Sequence, residues 1–333
     1  MKLSDVKNDT EIAEQEFETF RTEEHITAVL HKIEKALMFY TDNYIKNISE
    51  NENLNKLENK FGGGKKNNTA DREKNIYEYF NTRFDEFSNE AEKYRKFFTS
   101  PSFKEESEFD TGGFKARLRK EIPVINGAMN SKAKVMQEYK AAFNRSNADD
   151  LYTVCYNIIE FAEDYALATN EEDYKNVKSW EDFKMNDLED DNHRLESVIG
   201  NGIRATFLNT IFPQWFSGNY KHGIFALFFL TDKDVIDMQS QTSEFTMLKD
   251  LIEPGDRTII TEHNFFYPYP VYNFYMLQIY KYLEKKFKDI NIELKKEFRF
   301  WYVNDFINFI CEYHSEDIRT LLARDDKEIN PHG

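Results

Sequence analysis

Apolar side chains recur at alternating steps of four and three in two stretches near the start of the chain. Ile26, Leu30, Ile33, Leu37, Tyr40 and Tyr44 form one series; Phe80, Phe84, Phe87, Ala91, Tyr94 and Phe98 form the other. Such steps put each series on one stripe of a helix, and a stripe of that kind has to be covered by a neighbour. The pattern predicts a long helix from about Glu11 to Ile48. It predicts a second, capped by Asp71, that ends near Thr99 where Ser100-Pro101 stops it. Glu92 and Lys96 take the spacing of a helical ion pair in the second helix. Residues 49–70 between them contain Phe61-Gly62-Gly63-Gly64-Lys65-Lys66-Asn67-Asn68, the composition of a flexible connection. The expectation is an antiparallel, coiled-coil-like helical hairpin over residues 1–113. Pairing of each stripe with a second chain is the alternative.

The rest of the chain, residues 114–333, reads as a second, compact helical domain. Ser146-Asn147-Ala148-Asp149 has the layout of a capping box, and Leu151, Cys155, Ile158, Ala162 and Tyr165 repeat the helical step behind it. Gly223 to Leu230 is apolar on every side, so it belongs inside whatever its conformation. Glu253-Pro254-Gly255-Asp256 reads as a turn before a short strand from Arg257 to Thr261. Pro270 opens a helix to about Lys288, and a last helical region spans Trp301 to about Leu322. The fold class is mainly α.

Composition narrows this picture. Only 12 Gly and 7 Pro in 333 residues leave few tight turns, which favours long helices over a sandwich or barrel. Thirty Phe and 19 Tyr make the core aromatic. Cys155 and Cys311 are the only cysteines, far apart and each in apolar surroundings, so buried thiols in a reducing cytoplasm are expected, with no disulfide framework and no cysteine zinc site. The stretch from Asn264 to Tyr280 is uncharged, but it is short and interrupted by Pro268 and Pro270; no membrane span is expected. Heavy use of Asn, Lys, Ile, Phe and Tyr suggests a bacterial or phage source. The net charge of −16 repels nucleic acid at long range. One stretch reverses that sign: Lys115, Arg117, Arg119, Lys120, Lys132, Lys134, Lys140 and Arg145 stand against Glu121 and Glu138. It suits phosphate contacts, or internal pairing with the acidic linkers around Glu171 and Asp187.

Other candidate chemistry is sparse. The glycine-lysine linker lacks the spacing of a phosphate-binding P-loop, with Asn59 and Lys66 where Gly and Ser or Thr are needed. Gly200-Asn201-Gly202 before Arg204 looks faintly like the turn of a helix-hairpin-helix module, in which bare backbone N–H groups approach a phosphate; Arg204 and Lys221 would be the adjacent cations. Glu262 and His263 sit in an uncharged aromatic neighbourhood that would shift their titration, and Tyr269 lies close by in sequence as a pocket wall. Glu293-Leu294-Lys295 has the Glu-x-Lys spacing of some magnesium nucleases but lacks an upstream acidic strand. Asp190 and His193 alone do not make a metal set, so no metal or cofactor is expected. The aromatic run Phe265 to Tyr272 suits a pocket wall or base stacking. These patterns favour a non-enzymatic cytoplasmic binding protein whose hairpin meets a protein partner or a second copy. The competing reading is a nucleic-acid-binding protein or nuclease of a phage-defence or mobile-element system, and a third is a small-molecule enzyme whose pocket surrounds His263 and Tyr269.

Overall fold

Thr22 closes the turn at Phe20–Thr22 and starts the first long helix among the described residues: its hydroxyl accepts from the backbone N–H of His25 at 3.3 Å. The computed structural model describes residues 17–50, 69–106, 110–133, 136–236, 238, 242–253 and 256–322. Helix α1 runs Glu23–Ser49 and α2 runs Thr69–Phe98. Three short helices carry the basic stretch, α3 Thr111–Glu121, α4 Pro123–Asn130 and α5 Met136–Arg145. Then come α6 Ala148–Ala168, α7 Glu171–Asn176, α8 Asn201–Ile211 and α9 Tyr220–Leu230. Strands β1 Thr246–Glu253 and β2 Asp256–His263 form an antiparallel pair, from Thr246 opposite His263 to Glu253 opposite Asp256. Helices α10 Tyr269–Lys288, α11 Arg299–Tyr313 and α12 Ser315–Leu321 complete a mainly α fold.

Several boundaries differ from the sequence reading for local reasons. Helix α1 begins at Glu23 because Phe20–Thr22 form a turn that Thr22 closes as the cap; residues 1–16 lie outside the described set. Helix α2 begins at Thr69, so Asp71 lies inside its first turn, where a carboxylate still complements the helix dipole. Residues 51–68 of the expected linker, and Pro254-Gly255 of the expected turn, are outside the described set. Gly112-Gly113 opens α3, with Asp110 capping: its carboxylate accepts from Gly113 N–H at 2.8 Å, and a Cβ at Gly113 would collide with it. Asn147 caps α6 in place of Ser146, one residue later than expected.

Helices α1 and α2 touch where one ends and the other starts, with Asn75 donating to the Ser49 carbonyl at 2.9 Å. Each stripe is also covered by C-terminal helices. Helix α1 lies on α9, α10 and α11, and Tyr44 meets the rings of Phe287, Phe306 and Phe309. On α2, Phe80 meets Phe287, Trp301 and Tyr302, Phe84 meets Phe298, and Tyr94 and Phe98 meet Phe207. Buried apolar residues from Phe20 to Leu322 belong to one continuous cluster. Helix α9 is its centre and is buried on all sides, as its unbroken apolar run requires. Gly223 lets α10 approach: a Cβ there would sit 2.1 Å from the Tyr272 hydroxyl. The strand pair rests on α9 and α12. Among the described residues, no helix is long and apolar enough to cross a membrane.

Candidate functional site

Lys115, Arg117 and Lys140 of the basic stretch are used internally, though not on the acidic linkers. Lys115 donates to the carbonyls of Asn144 at 3.2 Å and Ser146 at 2.5 Å, at the C-terminal end of α5, with its ammonium 5.5 Å from the Phe143 ring. Burial holds its pKa below the ordinary lysine value. Arg117 donates to the Ser102 carbonyl at 3.1 Å and lies over the Phe97 ring, and Lys140 donates to the Ser131 carbonyl. Glu171, the expected acidic partner, instead accepts from Arg299 at 2.6 Å and Gln214 at 2.7 Å. Arg119, Lys120, Lys132 and Arg145 are exposed; Lys134 lies outside the described residues.

The glycine turn keeps an open backbone but not its arginine. Gly200 is the N-cap of α8 with φ −99°, and no side chain caps this helix. A Cβ at Gly200 or Gly202 would meet nothing within 4 Å. Neither crowding nor backbone geometry therefore requires glycine at either position. Arg204 turns inward: one helical turn on from Asn201 it shares that residue's face, which packs against residues 188–189 and Tyr269. Its guanidinium donates to the Leu188 carbonyl, to Asn201 Oδ1 at 2.6 Å and to Glu189 at 3.3 Å, beneath the Tyr269 ring. Burial pulls its pKa down against the opposing Glu189 charge. The expected phosphate contact at Arg204 is replaced by these internal ones. Burial and the Arg204 charge also hold His193 below its ordinary value.

Asn201 ties this turn to the aromatic run, donating to the carbonyls of Phe265 at 3.2 Å and Tyr267 at 3.0 Å. Phe265 and Phe266 stand exposed with ring centroids 4.4 Å apart. His263 Nδ1 lies 3.0 Å from Glu262 Oε1, Lys221 Nζ lies 3.9 Å from the same oxygen, and the His263 ring faces Phe225 and Phe265. The fold thus brings Asn201 of the glycine turn against Tyr220 and Phe265, and gathers Lys221, Glu262, His263 and Phe265 beside them. It does not bring in Tyr269, which is fully buried and donates its hydroxyl to the Ser217 carbonyl at 2.8 Å, so a pocket shared by His263 and Tyr269 is not formed. Glu293 and Lys295 project from the extended segment 292–295, whose Ile292 and Leu294 point into the core. Among the described residues, no three His, Cys, Asp or Glu side chains gather as a metal set would.

A second surface was not singled out in the sequence. Met38, Phe39 and Tyr313 are 58%, 50% and 55% exposed. Phe39 and Tyr313 meet edge to face at 5.8 Å, joining α1 to the end of α11, and Tyr40 and Phe309 back Tyr313. Below them Tyr40 shares a 2.7 Å hydrogen bond with His314 Nε2, whose ring stacks on Phe229 at 3.9 Å and 2°. Glu34 and Asp42, one turn to either side of Met38, are exposed, as are Glu312 and Glu316 beside Tyr313. The signal was available: Met38 and Phe39 are large apolar residues lying off the buried stripe of α1. No protein-family model, curated protein or solved structure matches this chain.

Proposed function

We propose that the chain is a binding protein that recognises a protein partner through the surface of Met38, Phe39 and Tyr313. One observation carries this reading: Phe39 and Tyr313, from two helices, are exposed in edge-to-face contact, and Met38, next to Phe39 in the chain, is exposed as well. Fixed aromatic side chains supply contact area at small entropic cost, which is how interface anchors act. Exposed Glu34, Asp42, Glu312 and Glu316 outnumber the exposed Lys35 around the patch and the chain carries a net charge of −16, so the complementary partner presents a mainly basic rim around an apolar anchor. Two unpaired buried thiols, Cys155 and Cys311, suit a reducing cytoplasm.

The test compares complexes isolated with the intact chain, with the Phe39→Ser/Tyr313→Ser double variant, and with Leu167→Ser as an exposed control elsewhere. The reading requires a stoichiometric basic partner that the double variant loses and the control keeps. Retention by the double variant removes it; a complex made only of this chain would make the surface a self-association face.

Nucleic-acid binding is the second reading. The exposed Phe265 and Phe266 beside the uncapped start of α8 favour it, together with exposed Arg119, Lys120 and Lys132. It requires single-strand binding that weakens steeply with salt and weakens again on Lys120→Glu/Lys132→Glu.

A further inference from the structure

We draw no further inference here: the strongest candidate, the outward face of the strand pair, where Leu248 and Ile259 stand exposed on the same side, carries nothing because nothing in the structure shows what covers it.

Discussion

Tyr44 donates its hydroxyl hydrogen to Asp305 at 2.6 Å, although 261 positions separate the two in the chain. The same carboxylate accepts from Tyr79 at 2.9 Å and pairs with Arg83 at 3.0 Å, so one buried side chain on α11 binds both long N-terminal helices. Burial, reinforced by the Asp305 charge, raises the Tyr44 pKa well above the ordinary value and keeps it a donor. Asp305→Ala leaves the buried Tyr44 hydroxyl without its acceptor and is expected to cost about 3 kcal/mol. Tyr44→Phe, which leaves Asp305 two partners, is expected to cost about 1–2 kcal/mol. Denaturant unfolding checks both; equal, negligible losses would mean that Asp305 does not join the helices.

Two glycines give opposite expectations. Gly223→Ala forces a methyl group into Tyr272 and is expected to destabilise by about 2–3 kcal/mol. Gly202→Ala adds a Cβ in open space within α8, so the lower entropy of the unfolded chain is expected to stabilise by about 0.5–1 kcal/mol. Thermal melts of the two variants should therefore move in opposite directions. If Gly202→Ala weakens nucleic-acid binding while raising the melting temperature, the second functional reading gains support.

The sequence was most legible where a local rule decides the outcome. Both long helices, the buried α9, the start of α10 near Pro270 and the strand after Asp256 follow from periodicity, proline geometry and turn chemistry. The neighbours of each stripe were less legible. Helical spacing says that Tyr44 and Phe80 are buried, but nothing local says that both meet Phe287. The same applies to charge. Arg204 beside a glycine turn resembles a phosphate ligand until the fold supplies Glu189 and the Leu188 carbonyl. Lys115 resembles part of a basic stripe until α5 ends beneath it.

Lys115 offers a direct check on that last point. Lys115→Met keeps the apolar stem against Phe143 but removes the contacts to the α5 carbonyls, and is expected to cost about 1 kcal/mol. Lys120→Met, at an exposed site, is expected to be neutral within about 0.5 kcal/mol. Chemical denaturation compares them, and equal effects would remove the capping role.

Stability should also depend on pH through two histidines. Burial, then the Lys221 and His263 charges, hold His222 below its ordinary value of 6.5, against its opposing hydrogen bond to the Asn308 amide oxygen. His193 is shifted the same way. The unfolded chain then binds these protons more readily than the folded one, so stability rises with pH and is lost as pH falls through 6.5. Asp317, held low chiefly by its bond to His314, stays ionised above its ordinary value of 3.8, so its contribution is constant in that window. Unfolding free energies are expected to fall from about pH 7 to about pH 5, and His222→Asn is expected to flatten the curve. An unchanged slope would show that His222 does not titrate on unfolding.

Whether the Phe39–Tyr313 surface holds a protein partner is decided by a photo-reactive benzoylphenylalanine placed at position 39 in living cells, with position 167 as control. One discrete adduct is expected from position 39, absent from position 167 and lost on Tyr313→Ser, whose cross-linked peptide is basic by mass spectrometry. No adduct, an adduct of two copies of this chain, or equal labelling from position 167 would contradict it.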